Sequence, residues 1–368
     1  MKHCFRCNSI KLAPVVNPKR LLLAVVLTGL ATFVASQWPL WRTGRVTQTP
    51  LVLISGGPEI ARPGRIWVDS DAACGATART DPDDCLAILW LAARGSTIVG
   101  LSTSFGNASG AVVAERMDAL ASILAQDGLS VPAIYRGYSE PAAPQDRLPA
   151  GVVALQAALD SGPLTILALG PLTNLAAALN DRPDLRGKVT RIVAVMGHQP
   201  GQLFHPTEGR GTGALYGHGP IFRDLNVSVD PDAVRSVLAM NLPMTLIPYD
   251  AALGTLVTDA DLDLLALRGR SFAWAAQASR DWLAFWKSDV GLPGFAPFDW
   301  MAAAYLESPQ LFDCAAVNAS MTREWAFWFL PRSSLVVQMP PFADGAAASR
   351  VLYCPKASAA VHDLLVLN

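Results

Sequence analysis

Between residues 66 and 251, short apolar runs alternate with segments of helical spacing, and this alternation restricts the fold more than any other feature. The spacing predicts strands over 66–69, 96–107, 131–137, 163–170, 190–197 and 243–251. Between them it predicts helices over 82–95, 108–128, 151–162, 171–183 and 231–240. A strand that must return to the same sheet through a helix makes a right-handed crossover, so the pattern predicts an α/β fold with a mostly parallel sheet flanked by helices. Ligands of such sheets bind beyond the carboxyl ends of the strands. The places to look for chemistry are therefore Asp69, Asn107, Leu169–Gly170, Gly197 and the turn after Tyr249. The last third reads differently. It shows a long helical pattern over 270–289, a loop leading into a helix over 297–312, strand-like runs at 314–321, 334–339 and 350–354, and a final helix to Leu367.

With 51% hydrophobic residues, the chain is far too apolar to be disordered. Its net charge of −1 argues against a basic nucleic-acid binder. The charge is unevenly spread. Lys2, Arg6, Lys11, Lys19, Arg20, Arg42 and Arg45 precede the first carboxylate, Glu59, which leaves an acidic body of net −8 behind a basic leader. Leu21–Ala35 is an apolar run directly after Lys19 and Arg20, the pattern of an export signal or an uncleaved anchor. Residues 1–41 are read as this leader and signal or anchor segment, 42–64 as a linker, and 65–368 as one folded domain. The expected location is outside the cytoplasm, either periplasmic or held on the inner membrane by residues 21–41. Membrane contact is expected only through that segment. Cys4 and Cys7 form a CxxC without a partner pair, so they read as incidental thiols.

The first predicted strand ends in Asp69 and Asp71, and Asp81, Asp83 and Asp84 gather at the start of the next helix. Carboxylates packed at one strand end repel each other unless protons or a cation compensate. A hard divalent cation such as Ca²⁺ or Mg²⁺ suits an all-oxygen set. A helix cap explains one of these residues, Asp81 or Asp83, but not the group.

DSD followed by DPDDCLAI resembles the DTDPGxDDAxAI signature of the nucleoside hydrolase (inosine-uridine preferring) family, with an extra stretch, largely ACGATARTD, between the two halves. Further segments match in order: GLSTSFGNAS, ILALGPLTNLAAAL, IVAVMG, DLNVSVDPDAVRSVL and PFDWMAAAYLESPQLF. The resemblance spans roughly residues 65–368. It implies a Rossmann-like central sheet and a Ca²⁺ ion held by Asp69, Asp84, the carbonyl of Leu169 and Asp299. It implies Asp83 as the general base that takes a proton from water. The water would then attack C1′ of a ribonucleoside through an oxocarbenium-like transition state. Asn107, Asp224 and Asn226 would contact the ribose, with Asp224 one methylene shorter than the family's Glu. The implied partner is a small nucleoside substrate, and family members are commonly homo-oligomers.

Two positions depart from the pattern. The family's His before the late Asp is Phe298 here, and a phenyl ring cannot protonate a leaving base. A family Asn aligns with His218, which leaves His218 as the candidate acid. Stacking of the base on Trp282, Trp286 or Trp300 is the other route, against the reading of these residues as ordinary core. His198 and His205 read as solvated loop residues near the site. Cys74 with Cys85, and Cys314 with Cys354, are candidate disulfides of an exported protein, but spacing fixes no connectivity. Two other readings stand beside the hydrolase. One is a phosphatase opening with strand-DxD, which lacks the later Asp-Asp pair. The other is a catalytically impaired nucleoside-binding or cell-envelope protein on the same scaffold.

Overall fold

The computed structural model describes residues 25–29, 31, 50–56, 64–141, 147–200, 224–327, 330–339 and 349–367. The predicted alternation is realised. Strands β1 (Ile66–Ser70), β2 (Ile98–Thr103), β3 (Ile134–Arg136), β4 (Leu164–Ala168), β5 (Val189–Ala194) and β6 (Met244–Leu246) are all parallel. They are linked through helices α1 (Asp83–Ala93), α2 (Gly110–Gln126), α3 (Ala150–Asp160) and α4 (Thr173–Asp181). Helices α5 (Leu225–Val229) and α6 (Pro231–Ala239) lie between β5 and β6. β1 and β4 are buried along their whole length, as continuous apolar strands covered on both faces must be.

After β6 come α7 (Tyr249–Ala252), α8 (Asp259–Ala266), α9 (Arg270–Phe285) and α10 (Phe298–Glu307). Strands β7 (Phe312–Phe327), β8 (Leu330–Gln338) and β9 (Ser349–Ala357) and helix α11 (Ala360–Val366) complete the chain. The sheet order is β3-β2-β1-β4-β5-β6-β9-β7-β8. β9 pairs parallel with β6 and antiparallel with β7, so the last strand sits inside the sheet rather than at its edge. Both candidate disulfides, Cys74–Cys85 and Cys314–Cys354, are formed; the second joins β7 to β9. Ile54, in the stretch read as linker, exchanges backbone hydrogen bonds with Cys314 at 2.7 and 3.1 Å.

Two apolar cores cover the two faces of the sheet. One gathers α1, α2, α9 and α10, and the other α3, α4 and α6. Helix α1 is buried on every side because α10 and the sheet enclose it, which explains its lack of a polar face. α9 runs into one π-helical turn, Trp286–Val290, closed by Gly291 at φ 82°. Sequence spacing reads this segment as plain helix; the wider turn is common at functional sites.

The strand order reverses between β1 and β4, whose neighbours lead away in opposite directions. This is the switch point at which the carboxyl ends of a parallel sheet leave a crevice. Among the described residues, no helix is long and apolar enough to cross a membrane.

Candidate active site

A cavity of about 360 Å³ opens at that switch point, lined by Asp71, Asp81, Asp84 and Asp299 on its acidic side and by Trp282, Trp286 and Phe298 on its aromatic side. Asn107, Leu169, Asp224 and Asn226 also line it. The carboxylates come from three elements. Asp71 follows β1, Asp83 and Asp84 open α1, and Asp299 opens α10. Neither helix has a side-chain cap at its N-cap residue, which is Pro82 for α1 and Pro297 for α10. Their acidic first turns are therefore not spent as caps, and two helix N-termini face the same negative cluster. Asp81 does part of a cap's work, accepting the Asp83 amide at 3.3 Å.

Oxygens of Asp83, Asp84 and Asp299 lie within 4.8 Å of one another. Ser70 donates its hydroxyl to one oxygen of Asp84. Asp84 Oδ2 and Asp83 Oδ1 are buried with no hydrogen-bond partner. An ionised carboxylate left so is strongly disfavoured, and the group shifts its pKa instead. Burial, reinforced by the charge of Asp83, pushes Asp84 up to about 7. Burial and then neighbouring carboxylates likewise raise Asp71 and Asp299 well above the ordinary range. Orphaned oxygens, mutual repulsion and an all-oxygen donor set are what a hard divalent cation would resolve, so the residues fit one.

Asp69, a ligand by the family resemblance, is not among the lining residues. Its Oδ1 accepts Ser102 Oγ at 2.6 Å and Asn174 Nδ2 at 2.8 Å, and burial raises it to about 7 against those bonds. The carboxylate of this strand end that reaches the cavity is Asp71, whose Oδ2 accepts the Asn107 amide at 2.7 Å. Gly106 makes that approach possible: its φ is 141°, and a Cβ there would collide with Asp71 Oδ2. Asp83, the expected base, is not among the lining residues either, although one of its oxygens lies within 4.8 Å of oxygens of Asp84 and Asp299 and its Oδ1 has no partner. Its Oδ2 accepts the Asp299 amide at 2.8 Å, which ties α10 to α1.

The expected ribose contacts reach the cavity with their polar atoms partly engaged. Asn107 holds the Asp81 backbone, donating Nδ2 to its carbonyl at 2.8 Å and accepting its amide at 3.1 Å. Asn226 Nδ2 donates to the Leu169 carbonyl at 2.7 Å and the Val195 carbonyl at 3.0 Å. Leu169 in turn donates its amide to the Asp69 carbonyl at 2.8 Å, so its peptide is fixed at both ends. Asp224 caps α5 through Val227 at 3.2 Å and accepts the Gly197 amide at 2.7 Å.

Phe298 and Trp286 line the cavity with ring centroids 6.1 Å apart. All three tryptophans are buried in the core; Trp282 and Trp286 also border the cavity, and Trp300 does not. His198 is not solvated as expected: it is 1% exposed, and its Nε2 meets Glu324 Oε2 at 2.8 Å. His205 and His218 lie outside the described residues. Arg79, from the inserted stretch, lines the cavity without any motif signal to mark it.

Fold and site define an α/β protein with an acidic, cation-suited crevice at a parallel-sheet switch point, backed by an aromatic wall. The chain belongs to the inosine-uridine preferring nucleoside hydrolase family, whose sequence model matches residues 66–327. Among solved structures, it resembles a plant nucleoside hydrolase, with a TM-score of 0.63 at 17% identity, covering 83% of this chain and 98% of that one. The purine-preferring ribonucleoside hydrolase from Gardnerella vaginalis gives 0.62 at 18%, covering 83% and 100%. These likenesses speak to the fold. Curated relatives include the pyrimidine-specific ribonucleoside hydrolase RihA of Salmonella agona (strain SL483), 28% identical over 190 residues, 51% of this chain and 55% of the relative. The RihA of Enterobacter sp. (strain 638) is 30% identical over 152 residues, 41% and 44% of the two chains. The chain thus spans about half the length of the curated relatives it matches.

Proposed function

We propose that this protein hydrolyses the N-glycosidic bond of ribonucleosides, giving free base and ribose, with a bound Ca²⁺ ion. The observation that carries the reading is the convergence of Asp71, Asp84 and Asp299 on one cavity beside partnerless buried carboxylate oxygens. Asp71, Asp84, the Leu169 carbonyl and Asp299 would hold the ion. When bound, it would neutralise these groups and lower the pKa of a coordinated water. Asp71, which lines the cavity, takes the proton from the attacking water. Asp83 positions Asp299 through the α10 amide, and Asn226 positions the Leu169 carbonyl. Positive charge that grows on the ribose ring meets the surrounding carboxylates and is stabilised there. Asn107, Asp224 and Asn226 line the ribose end. The base lies against Trp286 and Phe298.

Ribose release from uridine and inosine tests the division of labour. Asp71→Asn is expected to lose at least about 10²-fold in kcat, the usual size of a general-base loss. Asp83→Asn should lose less. The reverse ranking would return the base role to Asp83.

The basic leader and the disulfides Cys74–Cys85 and Cys314–Cys354 support export to an oxidising compartment, periplasmic or membrane-anchored through residues 21–41. Fractionation of cells producing the full chain checks this; a purely cytosolic, reduced protein would contradict it.

A further inference from the structure

We propose that Arg79, on the stretch inserted between the two halves of the acidic motif, receives the departing base and selects ribosides whose base carries ring carbonyl oxygens. This rests on the hydrolase reading above. The insertion is a built feature. Thr77 and Thr80 close a turn on each other, with Thr77 N donating to Thr80 Oγ1 at 2.9 Å and Thr80 Oγ1 donating to the Thr77 carbonyl at 2.8 Å. The Cys74–Cys85 disulfide fastens the loop to α1, one residue after Asp84. Arg79 is thereby set with its guanidinium 5.0 Å from the Phe285 ring centroid and Nη2 3.5 Å from Asp289 Oδ1.

The aromatic wall connects this cation to the acidic cluster. Phe298, next to Asp299, is 6.1 Å from Trp286; Trp286 is 6.2 Å from Trp282; Trp282 is 5.2 Å from Phe285, under Arg79. Arg79 lines the same cavity as the carboxylates, Trp282, Trp286 and Phe298, so a riboside with its sugar on the carboxylates holds its base in the cavity that Arg79 borders. Among the described lining residues Arg79 is the only cation. The indole nitrogens of Trp282 and Trp286, both in the same wall, are buried with no acceptor. Arg79 offers donors only, which matches a base rich in acceptors. Uracil and hypoxanthine present carbonyl oxygens; adenine presents an amino group instead.

The same residue answers the loss of an acid at Phe298. The C1′–N bond breaks with its electron pair passing to the base nitrogen. The water oxygen bonds to C1′ and its proton goes to Asp71. The base leaves as an anion paired with the Arg79 guanidinium. The anion then takes a proton from bulk water, and Asp71 returns its own to solvent.

The test uses the full chain with Ca²⁺ and the variants Arg79→Gln and Arg79→Lys. kcat/KM is measured for uridine, inosine, adenosine and p-nitrophenyl riboside, whose leaving group is already stable as an anion. Binding of free uracil, hypoxanthine and adenine is read by tryptophan fluorescence. Arg79 is 68% exposed on its side chain, so solvent screens its charge and the expected loss is about tenfold. The ratio of uridine to p-nitrophenyl riboside activity should fall by that factor in Arg79→Gln and recover in part in Arg79→Lys. Uracil binding should weaken in parallel, with adenine unmoved. An equal loss on all four substrates, or no loss, overturns the proposal. If the wild type releases ribose from none of them, the hydrolase reading falls. The fluorescence arm then decides separately whether Arg79 binds oxo-bases.

Discussion

Metal removal should invert the pH dependence of stability. Asp84 has a folded-state pKa of about 7 against an ordinary value of 3.8, through burial first and the Asp83 charge second. The difference is worth about 4 kcal/mol. The folded protein keeps a proton that the unfolded chain has released across this window. Without a cation, the stability associated with Asp84 is therefore fully present below pH 3.8 and lost as pH rises through 7. Asp69, also raised to about 7, acts in the same direction, as do Asp71 and Asp299. About 4 kcal/mol, for a domain of this size, corresponds to a fall in Tm of roughly 8 °C. A cation that replaces the protons reverses the slope, since it binds the ionised carboxylates. Thermal melts between pH 4.5 and 8, in chelator and in Ca²⁺, measure this directly. In chelator Tm should fall with pH; in Ca²⁺ it should hold or rise. A chelator curve that is flat or rises toward pH 7.5 would refute the reasoning, as would an Asp84→Asn variant with an unchanged slope.

Gly106→Ala should cut activity by an order of magnitude or more and lower stability by about 1–3 kcal/mol. It forces a Cβ onto Asp71 Oδ2 at a backbone angle only glycine takes easily, and kinetics with a denaturant curve check both effects. Glu324 should show the opposite pH sign to the acidic cluster. Burial raises its pKa, but the His198 hydrogen bond and the charges of His198 and Arg332 outweigh that and hold it at about 2. Its stabilisation, up to about 3 kcal/mol, is present above pH 4.5 and lost as pH falls toward 2, which acid unfolding of Glu324→Gln against wild type would show. Removing the Cys314–Cys354 bond as a double Ala variant should cost about 4 kcal/mol on loop-closure grounds for a separation of 40 residues, read as a shift in denaturant midpoint.

How much of this was legible beforehand follows the range of the forces involved. The expected strand over 66–69 is Ile66–Ser70, and the expected helix over 82–95 contains Asp83–Ala93, because burial periodicity is local. The insertion of β9 between β6 and β7 was not legible, since strand order depends on pairing between distant segments. Nor was the choice between Asp69 and Asp71. Residues two apart share one face of a strand; both carboxylates are buried, and only Asp71, beyond the end of β1 at Ser70, borders the cavity. Trp286 and Trp300 look alike in sequence and are equally buried, yet only Trp286, at the π turn, also borders the cavity. Arg79 lies in an insertion outside every motif, and its place depends on a disulfide whose pairing spacing could not fix.

The central claim is a cation-dependent ribohydrolase at the end of β1. Its most direct test is ribose release from a panel of purine and pyrimidine nucleosides by the purified chain, with Ca²⁺ or chelator and with Asp84→Asn alongside. The account predicts release from at least one nucleoside that needs both the cation and Asp84. No release from any nucleoside, with calorimetric Ca²⁺ binding intact, would contradict it and leave a binding protein on a hydrolase scaffold.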